Sequence, residues 1–180
     1  MIQLLSFDIG IINMAYCFAK IDNTNFIINN IDKIDLNCNK HNIQNIIDNT
    51  IEFLDILMND LSIDTNEKLI ILIECQMTSV MRTIQTCINT YFKIIGKHQN
   101  IDIETIYVSP KHKLKIMDKF STTIATDKYK QNKLDAIFYT TYLLTTTYKN
   151  DSILEIINSH KKKDDLCDAF LMCVFYHITY

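Results

Sequence analysis

The sequence predicts an α/β fold built on a central five-stranded mixed sheet, three antiparallel strands then two parallel ones, flanked by helices. Three observations carry this expectation. The run Leu4-Leu5-Ser6-Phe7-Asp8-Ile9-Gly10 is strand-like and apolar, yet it holds a carboxylate in its interior. Between residues 42 and 61 the apolar period changes to helical spacing. Immediately afterwards, Leu69-Ile70-Ile71-Leu72-Ile73 is continuously apolar, the pattern of an interior parallel strand buried on both faces.

Taken in order, residues 2–10 read as a central strand. Residues 14–21 and 25–34 read as two more, joined by the polar turn Asp22-Asn23-Thr24. A connection this short favours antiparallel pairing. Ile43, Ile46, Ile47, Ile51, Leu54, Leu57 and Leu61 form the stripe of an amphipathic helix over 42–61. Residues 69–74 are the fourth strand, ending on Glu74. A second helix over 78–95 carries Val80, Ile84, Ile88, Tyr91, Phe92 and Ile95 on one stripe. Residues 103–108 are the fifth strand, stopped by Ser109-Pro110. Helices follow at 131–148 and 153–158. A last one is marked by Leu166, Ala169, Phe170, Cys173, Val174 and His177 and runs to about residue 178.

Composition bounds what this chain is. With 180 residues, 48% hydrophobic and 22% charged, it fits one globular domain spanning 1–180 and not a disordered segment. No apolar run reaches the length of a membrane span, and the start lacks a signal peptide's basic flank and cleavage site. The six cysteines form no C-x-x-C pair and mostly sit in apolar segments. That reads as buried free thiols in a reducing, intracellular compartment. The net charge of −3 conceals an asymmetry: residues 1–75 hold 4 basic and 11 acidic side chains, and residues 76–180 hold 14 and 10. The balance argues against an indiscriminate polyanion binder and allows one directed basic surface.

Asp8 is the first candidate for chemistry, because an unpaired charge inside an apolar strand needs a metal, a cation or water. Gly10 lets the backbone turn sharply or approach a ligand closely. Glu74 ends an interior parallel strand, where function gathers in open α/β sheets; a solvated glutamate is the alternative there. Asp165 and Asp168 stand three apart and share one helix face. Acids also commonly open helices, with Asp164 as a possible N-cap, so their spacing alone is weak. The lysine-rich stretch Lys111, Lys113, Lys115, Lys119, Lys128, Lys130 and Lys133 is a solvated face unless a nuclease site lies nearby. In that case it becomes a phosphate-contacting surface.

Acids on the first strand, at the end of the fourth and on the last helix form the RNase H-like layout. The sequence resembles the RuvC-family Holliday junction resolvases of poxviruses and related large DNA viruses. The matching pieces are Phe7-Asp8-Ile9-Gly10 with Asn13, Ile73-Glu74-x-Gln76, Val108-Ser109-Pro110 and Lys163-Asp164-Asp165-x-x-Asp168. The resemblance implies a magnesium-dependent, structure-selective endonuclease. It would act as a homodimer, nick four-way DNA junctions symmetrically and resolve recombination intermediates and viral concatemers. It also implies that Asp8, Glu74, Asp165 and Asp168 are the catalytic, metal-holding acids. For a viral protein, it implies work at replication sites in the host cytoplasm.

Physical chemistry agrees with that implication. Four converging carboxylates repel one another unless cations neutralise them. Oxygen donors without His or Cys select Mg²⁺, with Mn²⁺ able to substitute. Two ions about 4 Å apart suit hydrolysis that leaves a 5′-phosphate and a 3′-hydroxyl. Asp8 is expected to bridge them, with Glu74 on one and Asp165 and Asp168 on the other. Lys163 is a candidate for stabilising phosphate charge, although a solvated run of Lys161, Lys162 and Lys163 fits the sequence equally. Arg82 and Lys161 to Lys163 join the stretch above as candidate DNA contacts.

Three rival readings remain. An actin-like ATPase also opens with Asp-x-Gly but needs further glycine-rich loops, and this chain has two glycines in all. An RNase H-like nuclease of broader specificity, for flaps, forks or RNA–DNA hybrids, would keep the same acids. A non-catalytic junction-binding protein would be expected to lack at least one.

Overall fold

The computed structural model describes residues 1–23, 25–110, 116 and 127–180. Thr24, Lys111, Lys113, Lys115 and Lys119 lie outside them. The elements follow the expected order: β1 (Ile2–Asp8), β2 (Met14–Asp22), β3 (Asn25–Ile34), α1 (Ile43–Asp60), β4 (Lys68–Glu74), α2 (Ser79–Gln99) and β5 (Ile103–Val108) come first. Then come α3 (Lys128–Tyr142), α4 (Asp151–Ser159) and α5 (Asp164–Thr179). The strands form one sheet in the order β3-β2-β1-β4-β5, with β1 at its centre. β1 pairs with β2, and β2 with β3, antiparallel; β4 joins β1, and β5 joins β4, parallel. This is the mixed sheet the sequence predicts.

The central strands are apolar on both sides because both faces are covered. Alternation along β1 sends Leu5 and Phe7 to one face, where they meet Ile46, Leu54, Ile84, Ile88 and Phe92 of α1 and α2. It sends Leu4 to the other, against Leu166, Phe170, Cys173 and Val174 of α5 and Tyr139 of α3. Phe7 and Phe92 stack tilted at 6.0 Å, both fully buried. Truncating either to alanine would cost about 3–5 kcal/mol. Gln3 is buried too, and its amide satisfies both backbone groups of Asp64 at 2.8 Å.

Several boundaries differ from the sequence expectation, each for a local reason. β1 stops at Asp8 instead of residue 10, because the chain turns at Gly10. A Cβ on Gly10 would sit 2.7 Å from the carbonyl oxygen of Asn13, so the close approach of two backbone segments explains this glycine. α3 begins three residues early, because the Asp127 carboxylate caps it by accepting from the Lys130 N–H. Its last turn widens into a π-helical turn over Leu143–Thr147, closed by the Tyr148 N–H donating to the Leu143 carbonyl. Asp164 is not the N-cap of the final helix. Lys163 holds that position without a side-chain cap, and Asp164 is the first helical residue. Among the described residues, no helix is long and apolar enough to cross a membrane.

Candidate active site

The first two acids are positioned by the backbone. The parallel register between β1 and β4 runs from Ile2 opposite Lys68 to Phe7 opposite Ile73. One residue further along each strand stand Asp8 and Glu74, the last residues of both. They leave neighbouring parallel strands at the same carboxyl end, where open α/β sheets gather their chemistry. Beyond Glu74 the chain stays anchored, with the Cys75 N–H donating to the Val108 carbonyl at 2.9 Å. The Gln76 backbone N–H donates to Gln85 of α2, and its side-chain amide donates to Glu74 Oε2 at 3.0 Å.

The other two acids come with α5. Its N-terminal turn crosses the carboxyl end of the sheet, and Asp8, Glu74, Asp165 and Asp168 line one cavity of about 400 Å³. Gln76, Met77, Tyr129, Asn132, Lys133 and Asp164 share its wall. Residues separated by more than 150 positions thus line one cavity. Of the candidate basic residues, Lys133 lines this cavity and pairs with Asp164. Lys163 does not line it; its ammonium donates to Asn158 of α4 at 2.9 Å. Lys128 and Lys130 are exposed at the start of α3, and Lys130 pairs with Asp127. Lys161 and Lys162 are exposed just before α5. Arg82 is exposed on α2 and lines a separate apolar groove of about 720 Å³ between α1 and α2.

The charges are unevenly compensated. Asp165 Oδ2 is buried without a hydrogen-bond partner, and the nearest ammonium, Lys33 of β3, stands 4.0 Å away. Burial, with the adjacent Asp164 charge, pushes the Asp165 carboxyl above its ordinary value, against the pull of Lys133, Lys33 and Lys162. Burial pulls Lys133 down, but its hydrogen bonds to Asp164 and Tyr129 outweigh this and hold its ammonium above the ordinary range. That ammonium also lies 4.9 Å from the centre of the Tyr129 ring.

The donor chemistry fits a hard divalent cation: four carboxylates in one cavity, with one buried oxygen lacking a partner. The spacing is looser than the sequence reading expects. Among the described residues, no three His, Cys, Asp or Glu side chains already stand close enough to hold an ion together. Lys33 and Lys133 lie among the helix-borne acids, and Gln76 engages Glu74. A cation would have to draw these side chains inward. Lys33 is missed by sequence reasoning, because a lysine near the end of an edge strand reads as solvent-facing. Its side chain is 12% exposed, and it donates to the Lys162 carbonyl at 2.8 Å. Lys133 is read from sequence only as part of a basic run; its helical offset toward Asp164 carries no sequence signal.

No protein-family model matches the chain. Among solved structures, the fowlpox virus resolvase in complex with Holliday junction DNA superposes with a TM-score of 0.60. It is 21% identical, with 98% of this chain and 97% of that one covered. The structure of the fowlpox virus Holliday junction resolvase gives the same TM-score at 19% identity, covering 97% and 96%. RuvC of Thermus thermophilus gives 0.51 at 9% identity, covering 97% and 94%. The chain has the RuvC fold. The RNase H-like architecture expected from its acids and strand order is therefore present along almost its whole length. Outside the solved RuvC-fold structures, an uncharacterized protein of Acanthamoeba polyphaga mimivirus is 33% identical over 111 residues, 56% of this chain. The match spans 26% of that relative, about a quarter of its length.

Proposed function

We propose that this protein is a Holliday junction resolvase, a divalent-cation-dependent endonuclease that nicks four-way DNA junctions symmetrically. The observation that carries the reading is the convergence of Asp8, Glu74, Asp165 and Asp168 on one cavity at the carboxyl end of the sheet. The RuvC fold supports it, as does the junction DNA bound by the fowlpox resolvase of the same fold.

Asp8 and Glu74, from the strands, and Asp165 and Asp168, from the helix, would hold Mg²⁺, or Mn²⁺ in its place. Bound there, two such ions would supply charge neutralisation of the scissile phosphate and acidify the attacking water. The chain's own side chains do the rest. Asp8, at the end of the sheet's central strand, shares the cavity with both acid groups. Gln76 holds Glu74 through its amide and so limits the carboxylate's rotamers. Lys133 brings a cation to the cavity wall and would be drawn to a phosphate once Asp164 is partly compensated. An in-line cut on the 3′-oxygen side leaves a 5′-phosphate and a 3′-hydroxyl, ends that a ligase can rejoin.

A four-way junction has two equivalent strands to cut, and among the described residues one such cavity is present, so symmetric nicking calls for a homodimer. Lys111, Lys113, Lys115, Lys119, Lys128, Lys130, Lys133, Lys161 to Lys163 and Arg82 would supply sequence-independent phosphate contacts. Within a cell this activity would resolve recombination intermediates and branched or concatemeric viral DNA.

The direct test is cleavage of an end-labelled four-way junction with Mg²⁺, comparing the protein with its Asp8→Asn variant. Paired, ligatable nicks that vanish in the variant are expected. Equal cutting by the two proteins would remove Asp8 from the chemistry and with it this assignment.

A further inference from the structure

Ser6 is a fully buried hydroxyl between apolar residues of β1. It lies two residues before Asp8 and therefore on the same side of the strand, the side covered by α5. Its Oγ stands 2.7 Å from the carbonyl oxygen of Ala169 and 3.4 Å from that of Cys17. The hydroxyl has one proton to give, and the shorter contact takes it. The acceptor is the residue directly after Asp168.

That bond is directional where its surroundings are not. Around it, apolar side chains such as Leu4, Leu166 and Phe170 pack at the contact between α5 and β1. Apolar burial fixes how much surface is covered more firmly than which residue covers it. A one-residue slip of a helix moves it 1.5 Å along its axis and turns it by 100°. Much of the apolar area could survive such a slip, but Asp165 and Asp168 would be turned away from Asp8 and Glu74. The Cys173 thiol, 3.6 Å from the Cys17 carbonyl one turn further along, is a weak donor and cannot hold the helix as firmly.

We propose that Ser6 is a positioning residue: its hydrogen bond to Ala169 sets the height and rotation of α5 on β1, and so places the helix-borne acids against the strand-borne ones. This rests on the reading of the four carboxylates as a cation-holding site. The hydroxyl touches neither substrate nor cation and acts through Asp165 and Asp168.

The test uses the full chain and its Ser6→Ala variant, with Mn²⁺ as the probe, and reads three quantities. They are the Mn²⁺ dissociation constant from free-Mn²⁺ electron paramagnetic resonance, the single-turnover rate of junction cutting, and junction affinity in Ca²⁺. Loss of a group that orients metal-holding side chains weakens metal binding or rate by about 10-fold or more. Mn²⁺ affinity and rate are therefore expected to fall together by that factor while junction affinity stays unchanged. Ser6→Cys, nearly isosteric with a weaker donor, should fall between alanine and the native protein. A variant with native Mn²⁺ affinity overturns the proposal. So does a loss that only tracks the unfolded fraction measured by circular dichroism. A native protein that binds Mn²⁺ but does not cut, with Ser6→Ala binding it more weakly, sinks the resolvase reading and keeps Ser6 in its role. A native protein that binds no Mn²⁺ removes the site that Ser6 is said to build, and overturns both.

Discussion

Asp8 and Glu74 reach the cavity on neighbouring strands; Asp165 and Asp168 reach it on a helix laid across them. The first pair is held by a six-pair parallel register, with β2 and β5 closing the ladder on either side. The second pair is held by side-chain packing, one buried hydroxyl and the polar contacts of Lys33 and Lys133 at the start of the helix. Counter-charge gathers at the first turn of the helix, where Lys33 reaches Asp165 and Lys133 pairs with Asp164, and Asp165 still keeps an oxygen without a hydrogen bond. Backbone geometry thus builds one half of the site and tertiary packing the other. Strand-borne acids should matter for chemistry alone, and helix-borne acids for chemistry and stability together.

The largest expected effect tests whether both halves act. Glu74→Gln and Asp168→Asn each remove one charge from opposite halves while keeping side-chain size. A lost interaction of several kcal/mol with the reacting phosphate corresponds to about a thousandfold in rate. Single-turnover cutting of a four-way junction should fall by that order in both variants, with junction affinity in Ca²⁺ retained. A drop in Glu74→Gln beside native cutting in Asp168→Asn would leave the helix outside the reaction.

A smaller effect separates the halves by stability. The Asp165 carboxyl is raised above its ordinary value of 3.8 by burial and by Asp164. A raised folded-state value means that the protonated form is the better tolerated one. Its contribution to stability is complete below the unfolded value and is lost as pH rises through the folded one. Without divalent cation, Asp165→Asn should therefore melt higher than the native protein at neutral pH, by a few °C, about 1 kcal/mol for a chain of this size. The gap should close as pH falls through the carboxylate range. Thermal melts at several pH values in chelator measure it, and a variant that melts lower at neutral pH would place Asp165 among satisfied charges. The same substitution should reverse its sign when Mg²⁺ is added, because the cation stabilises only the carboxylate.

The two halves were also unequally legible. Asp8 and Glu74 could be placed because an acid ending a continuous apolar run is conspicuous, and strands run straight enough to carry the inference. Asp165 and Asp168 could be put on one face of one helix from their spacing of three, but nothing local says which way that face turns. Its direction depends on Ser6 meeting Ala169, a contact 163 residues apart in sequence. Lys33 is illegible for the same reason: its strand reads as an exposed edge, and the contact that engages its ammonium is the Lys162 carbonyl at the docked start of α5. Gly10 stands out in the sequence, while its reason, the backbone of Asn13 at close range, arises only in the folded chain. Helix ends moved wherever a cap decided them, as Asp127 did for α3.

The smallest effect asks how far the DNA-facing charge extends from the cavity. Lys161 and Lys162 are exposed beside the helix-borne half. Arg82 stands one turn into α2 beyond Thr78, which lines the cavity on its strand-borne side, and itself lines the separate groove between α1 and α2. Lys97 is exposed at the far end of the same helix and serves as a control. Each lysine or arginine that neutralises one phosphate steepens the dependence of log affinity on log salt by about 0.9. Junction affinity measured in Ca²⁺ across a salt series should lose about 1.8 of that slope in Lys161→Ala/Lys162→Ala. Arg82→Ala should lose about 0.9, and Lys97→Ala none. Equal slopes in all four proteins would confine phosphate contact to Lys163 and the lysines between 111 and 133. A change in Arg82→Ala without one in the lysine pair would move the DNA path to the strand-borne side. That outcome would leave the helix half of the site with its acids and its counter-charges, but without the polyanion those lysines are proposed to meet.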